Sequence, residues 1–510
     1  MFLPKSRVKN IDLGKILWSE QKFFVPLQPD SSETIMEKRI GRKRETEQLE
    51  LAMSSKRSEL VVLFGRRRIG KTFLVRSYFN DTFTFRFVGA HNKPRKVQLA
   101  NFRDSLQRMT GKEIGELKDW KEAFNQLALA LEQSDDKRKV IFFDELPWAD
   151  VQGGGLTNEL EYFWANWVET RDDIVMIVCG SASTWMKEKL LKNRGSLHNR
   201  VTRKIYLRPF YLSECKEYLN EHNIGWDDFQ IMQFYMVFGG VPYYLSLLRS
   251  NLSLVENIDA LLFATDGLLH DEFQELYHAL FSNAESYITI VSKLAESLQG
   301  FTRSEIEKAT GISGGTLTRI LQNLELCDFI TSYNQFGNST KMCIYKMADF
   351  FTMFHFRFMK DNRSRDEHYW QHHFMDRSVQ SWQGLAFEQL CMRHINQINH
   401  GLGISGIATE TSSWRYVAPP DSGRKGAQID LVIKRVDRVI HLCEMKFTDQ
   451  PYTITAEYEA RMKERQQLFR EVTGVRQSVV LTMVTPMGIT PGKHTGNIHS
   501  SISANELFAE

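Results

Sequence analysis

The sequence has no apolar run long enough to cross a bilayer as a helix, and its start has no secretory apolar stretch ahead of a cleavage site. It therefore predicts neither membrane insertion nor export. Paired cysteines are also lacking. The six present (Cys179, Cys215, Cys327, Cys343, Cys391 and Cys443) are scattered without a CxxC pair, which suits free thiols in a reducing cytoplasm rather than a disulfide framework. Internal repeats and low-complexity tracts are absent. Charge of one sign is scarce too. The net charge is only +3, so bulk charge does not argue for nucleic acid, and any basic surface must be local.

What is present is enough apolar material for several cores. With 510 residues, 42% of them hydrophobic and 25% charged, the length calls for three or four domains. Residues 1–35 show no clear period and end in a Pro/Asp/Ser cluster, so they read as a tail or extension. From 36 to 210, short apolar runs (LVVLF, FTFRFV, KVIFFD, IVMIVCG, KIYLRPF) alternate with helical patterns. Strands alternating with helices imply a parallel sheet covered on both faces, an α/β domain. Residues 211–284 are helical only, and 285–350 read as a small helical unit closed by a hairpin. Residues 351–510 open on an aromatic helix and continue as a second α/β pattern.

The first apolar run leads directly into GRRRIGKT, residues 65–72, which fits GxxxxGK[ST] with a strand before it and a helix after it. Gly65 and Gly70 permit a tight backbone nest whose N–H groups, across Arg66, Arg67, Arg68 and Ile69, face phosphate oxygens. Lys71 would reach the β- and γ-phosphates of ATP, and Thr72 would hold Mg²⁺. The three arginine side chains read as solvated positive charge on a loop that works through its backbone. Downstream, VIFFDELPW ends an apolar strand in Asp144 beside the Mg²⁺ and Glu145, which could orient the attacking water. Ser181 ends the next strand and reads either as a γ-phosphate sensor or as a helix cap.

FGRRRIGKT, the DELPW strand, GSAS, RVTRKIYLRPF and GGVPYYL, together with IGRKRETEQLEL at 40–51, resemble the archaeal-type ATPases of the AAA+/STAND P-loop group. The resemblance implies a helical lid over 211–284 in which Pro242 packs near the nucleotide. It also implies that Arg200 stands at the position of an arginine finger, which would make the active ATPase a homo-oligomer. Arg200 reads equally as a surface arginine in a basic stretch. Members of that family begin just before the box at 40–51, which makes Met36 a candidate start.

RSEIEKATGISGGTLTRILQNLELCDFI, residues 303–330, has the helix–glycine turn–helix spacing of a winged helix-turn-helix. Ile306, Ala309, Ile312, Leu317, Ile320 and Leu324 form its apolar side, leaving Thr316, Thr318, Arg319 and Gln322 outward. One arginine is little charge for a duplex reader, so a spacer or protein contact is the competing reading.

The last segment reads helix, three strands, helix, strand, an order that resembles the PD-(D/E)xK nuclease core. Its acids fall at the expected places: Glu388 on the first helix, Asp430 on the second strand, Glu444 and Lys446 on the third. Strand alternation puts Glu444 and Lys446 on one face. Asp430 and Glu444 could hold Mg²⁺ through hard oxygens, and Lys446 could orient the water that attacks DNA. An ion pair at a sheet edge explains the strand charges but not Glu388 or the element order. His368 and His372 stand four apart, yet lack a further zinc ligand and read as exposed imidazoles on a helix.

Overall fold

The computed structural model describes residues 39–181, 185–191, 200–281, 283–297, 299–337, 343–362, 366–419, 423 and 425–509, with the side chains of 187 and 191 left aside. The tail expected over 1–35, the candidate start at Met36 and Lys192 and Arg194 of the basic stretch lie outside the described residues.

Five strands form the first sheet: β1 (Glu59–Gly65), β2 (Phe85–Val88), β3 (Lys139–Asp144), β4 (Ile174–Gly180) and β5 (Arg203–Leu207), in the order β2-β3-β4-β1-β5. Every pairing is parallel. Near-continuous apolar runs are what such a sheet needs, because alternate residues enter opposite cores. In β1, Leu60 and Val62 join one buried cluster while Val61 and Leu63 join the other. One helix was not anticipated, Arg95–Thr110. Its apolar stripe is narrow, with Leu99, Phe102 and Leu106 facing the core within an otherwise polar sequence.

Beyond Leu207 the chain is helical through Leu212–Glu221, Asp228–Phe238, Pro242–Leu245, Leu254–Ile258 and Glu272–Leu280. Helices Ala284–Ala295, Arg303–Thr310 and Gly314–Leu326 follow, with β6 (Phe301–Thr302), β7 (Ile330–Asn334) and β8 (Cys343–Met347) in a three-stranded sheet ordered β6-β8-β7. Thr316, Thr318, Arg319 and Gln322 are exposed as expected, but Ala309 is exposed too rather than part of the apolar side.

The second large sheet has β9 (Thr409–Tyr416), β10 (Ala427–Arg435), β11 (Val439–Met445), β12 (Ser478–Val484) and β13 (Ile498–Ile502), ordered β13-β12-β11-β10-β9. The hairpins β9–β10 and β10–β11 are antiparallel, whereas β12 returns parallel to β11 after the helix Ala456–Thr473. Helix Arg377–Arg393 precedes them. Strand β13 was not legible in advance, since NIHSSIS is mostly polar and sits at the sheet edge with its backbone paired to β12. The sequence-based boundaries at 284/285 and 350/351 fall inside one continuous buried cluster that runs from Phe210 to Leu507.

Candidate functional site

Strand β1 stops at Gly65, where an added Cβ would stand 2.4 Å from the carbonyl oxygen of Leu207, so only glycine fits beneath β5. The loop then passes through two left-handed residues, Arg68 (φ +68°) and Gly70 (φ +86°), a conformation that turns successive N–H groups to one side. Helix Lys71–Tyr78 begins there. The buried Lys71 ammonium donates to the carbonyls of Gly65 (3.1 Å) and Arg66 (2.8 Å). Thr72 Oγ1 donates to Asp144 Oδ1 at 3.0 Å.

Because β4 lies between β1 and β3, the carboxyl ends of all three strands open on one crevice. Asp144 is buried there. Burial and then the neighbouring Glu145 charge push its carboxyl above the usual range, against the Thr72 hydroxyl, which favours ionisation. Glu145 adopts the left-handed conformation (φ +46°), sparsely populated for a residue with a side chain. Its carboxylate accepts from the Ser181 amide at 2.9 Å and from the Ser181 hydroxyl. Lys71, Thr72, Asp144, Glu145 and Ser181 are thus brought together. Thr72 Oγ1 and Asp144 are hard-oxygen donors in contact, which suits Mg²⁺ beside bound phosphates.

The loop arginines are not the solvated charges expected. Arg66 is 2% exposed, donates to Asp349 and lies over the Phe329 ring at 5.2 Å. Arg68 pairs with the buried Glu272, reaches Glu275 at 3.4 Å and covers the Tyr243 ring at 4.4 Å. Arg67 and Arg68 are half-buried. Helices Glu272–Leu280 and Phe350–Phe354 bring these acids to the loop from far downstream, and no local spacing could have announced them. Ile69 is buried, and its carbonyl accepts from Arg42 Nη2 at 3.2 Å, while Arg42 Nη1 donates to the Arg208 carbonyl at 2.7 Å. The segment at 40–51 therefore braces the loop. The start of helix Pro242–Leu245 also touches it: the Pro242 ring lies 4.0 Å from the Cβ position of Gly70, and the Tyr243 amide donates to the Arg68 carbonyl at 3.4 Å.

Arg200 is not brought to this crevice. It precedes β5 near the amino end of β1, where the Thr202 amide donates to the Leu60 carbonyl at 3.0 Å, and it is ion-paired with Glu169.

The second constellation lies on the other large sheet. Glu388, Asp430 and Glu444 line one cavity of about 410 Å³, with Gln428, Arg461 and Arg465 at its wall. Three separate elements supply these acids. Glu444 accepts from the Tyr458 hydroxyl and from Arg465, with Lys446 Nζ 3.2 Å away. Burial works to raise its carboxyl, but Arg465 and Lys446 prevail and hold it below the usual range. Glu388 goes the other way: burial, then the charge of Asp430, push it well above the usual carboxylate range. Asp430 Oδ1 accepts from Gln428 Nε2 at 2.6 Å and from Lys346 Nζ at 3.5 Å.

The oxygens suit a hard cation, but the arrangement expected of Asp430 and Glu444 as metal ligands is not formed. Among the described residues no three Asp, Glu, His or Cys side chains stand close enough to hold a metal ion. Each strand carboxylate is instead satisfied by an organic cation. Sequence reasoning missed Lys346, Gln428, Tyr458 and Arg465. Lys346 had a signal: alternation in Cys343–Met347 places it beside Ile344 on the buried face, where a lone charge demands a partner.

Residues 40–248 match the family described as an ATPase domain predominantly from Archaea. The uncharacterized protein MJECL04 of Methanocaldococcus jannaschii is similar at 22% identity over 414 residues, covering 80% of this chain and 88% of that protein. Among solved structures, the Walker-type ATPase PABY2304 of Pyrococcus abyssi is similar at 19% identity, 65% of this chain, 99% of that chain and a TM-score of 0.44. The Aeropyrum pernix ORC2 protein in ADPNP–ADP complexes follows at 14% identity, 62% and 92% coverage and a TM-score of 0.38.

Proposed function

We propose that this chain hydrolyses ATP in the β1–β3–β4 crevice and couples that reaction to a winged helix and a PD-(D/E)xK-like domain acting on DNA. The observation that carries the nucleotide half is the meeting of Lys71, Thr72, Asp144, Glu145 and Ser181 at the carboxyl ends of three adjacent parallel strands. The loop amides and Lys71 hold the phosphates, and Thr72 with Asp144 hold the cation. When bound, Mg²⁺ supplies neutralisation of charge on the phosphate oxygens. Glu145, aimed by Ser181, orients the attacking water. Lys71→Ala should abolish turnover in a phosphate-release assay; undiminished hydrolysis would refute the assignment.

The DNA-cutting half rests on the helix–three strands–helix–strand order and on Glu388, Asp430 and Glu444 sharing one cavity. The exposed Thr316, Thr318, Arg319 and Gln322 offer a duplex-facing helix, and Arg200 offers a finger to an adjacent copy in a homo-oligomer. A second reading, a nucleotide-dependent DNA-binding or signalling switch with a silent C-terminal domain, is favoured by the engagement of Glu444 by Tyr458 and Arg465. Incubation of supercoiled and single-stranded DNA with Mg²⁺ or Mn²⁺ separates them. Cleavage lost in Asp430→Ala and Lys446→Ala supports the nuclease; no cleavage by the wild type supports the switch.

A further inference from the structure

Arg68 carries a side chain where the phosphate loop turns left-handed (φ +68°), a conformation costly to any residue with a Cβ. Such a backbone persists where its surroundings over-determine it. Several contacts do so here. The guanidinium pairs with Glu272, whose side chain is fully buried, and reaches Glu275 at 3.4 Å. It also lies 4.4 Å from the centroid of the Tyr243 ring. The Arg68 carbonyl accepts from the Tyr243 amide at 3.4 Å. In a trans peptide the C=O and the following N–H point opposite ways. Holding that carbonyl on Tyr243 therefore turns the Ile69 N–H away from it, as a nest of converging amides requires.

Glu272 is itself held. Its other carboxylate oxygen accepts from the Tyr244 hydroxyl at 2.8 Å. It opens helix Glu272–Leu280, an end at which the helix dipole favours an acid. Burial works to raise its carboxyl above the usual range, and Arg68 is the first group opposing that. This helix lies outside residues 40–248, which match the ATPase domain.

We propose that Glu272 is a positioning residue for nucleotide binding: through Arg68 it holds the phosphate loop in its left-handed turn, ready for the phosphates. This rests on the ATP reading of the crevice. Glu272 needs no contact with the nucleotide. A loop released from this clamp populates other backbone conformations, whose amides no longer converge, and apparent affinity falls with the competent fraction. The loss therefore appears in KM for ATP more than in kcat.

The test uses the full chain, with phosphate release for KM and kcat and a titration with fluorescent N-methylanthraniloyl-ATP for affinity. Glu272→Gln removes the charge but keeps the shape and an acceptor for Tyr244. It should raise KM and Kd by about five- to tenfold and change kcat less. Two double variants separate loop conformation from general loosening. Glu272→Gln combined with Arg68→Gly, or with Arg68→Ala, loses the same ion pair, yet only glycine takes the left-handed turn freely. The glycine form should bind the analogue about five- to tenfold tighter than the alanine form. Equal affinity of the two double variants, or a wild-type KM in Glu272→Gln, overturns the role of Glu272 and leaves the ATP site standing. A wild-type chain that binds no nucleotide overturns both.

Discussion

Arg66, in the phosphate loop, is ion-paired with Asp349, 283 residues further along the chain, and both are buried. Asp349 in turn caps the helix Phe350–Phe354 by accepting from the Thr352 amide (3.0 Å) and hydroxyl (2.6 Å). The loop that meets nucleotide is thereby tied to the segment entering the C-terminal region. Two other guanidinium nitrogens of Arg66 are buried without a partner, so the pair is not an optimal one. Removing only one member should still be severe. Arg66→Met strands a buried carboxylate and should lower stability by about 3–5 kcal/mol, read from urea unfolding. Adding Asp349→Asn should recover part of that loss; a strictly additive double variant would mean that the two side chains do not interact.

Gly240 lies just ahead of helix Pro242–Leu245. An added Cβ would stand 2.0 Å from the Phe210 carbonyl oxygen, a backbone atom that the Tyr235 hydroxyl also holds at 2.9 Å. Neither side can yield cheaply. Gly240→Ala should cost about 1–3 kcal/mol or more and weaken nucleotide binding, because Pro242 and Tyr243 follow it onto the loop. Thermal melting and nucleotide titration check this, and wild-type values in both would show that the segment tolerates the methyl group.

Glu145 and Ser181 should differ in what their loss does. Glu145→Gln keeps the shape and should leave nucleotide binding intact while lowering kcat by about 10²–10⁴-fold, the usual range for a positioned base. Ser181→Ala removes the hydroxyl bond to Glu145 but keeps the amide one, and should lower kcat less. Equal binding and unequal turnover, measured by titration and phosphate release, is the expected pattern. A Glu145→Gln protein that turns over normally would place the water-orienting group elsewhere.

His394 should make folding acid-sensitive. It is fully buried at the C-terminal end of helix Arg377–Arg393 against the start of helix Leu212–Glu221, accepting from the Leu212 amide at 3.1 Å and donating to the Leu390 carbonyl at 2.8 Å. Burial lowers its pKa to about 4, opposed by the Leu390 bond and aided by Arg393. A base depressed in the folded state stabilises above its unfolded value and loses that contribution as pH falls, here from about 6.5 toward 4. The loss is on the order of 3 kcal/mol. His394→Gln should flatten the stability profile over that window, and an unchanged slope would assign the acid sensitivity to other groups.

The phosphate loop, the acid-tipped strand and the strand–helix alternation were all legible because their signals are local. A strand buried on both faces must be apolar throughout, and a phosphate nest needs glycine where the backbone turns left-handed. The three nuclease-type acids were legible as positions: Glu388 through the element order, and Asp430 and Glu444 because alternation along a strand fixes which face each takes. What they touch was not. Lys346, Tyr458 and Arg465 reach the carboxylates from elements whose own periodicity says nothing of that meeting. Helix Arg95–Thr110 and β13 escaped for a related reason, one having a narrow apolar stripe and the other an edge position stabilised by backbone pairing.

By itself, then, the order of residues determined the nucleotide loop, the parallel sheet that presents it, the helix that carries Glu388 and the strands that carry Asp430 and Glu444. Only the tertiary structure decided which cation each acid meets and which acids the loop arginines meet. The reason is range. Backbone conformation and side-chain periodicity act over a few residues, whereas a buried charge is satisfied by whatever group packing brings within a few ångströms, however distant in the chain.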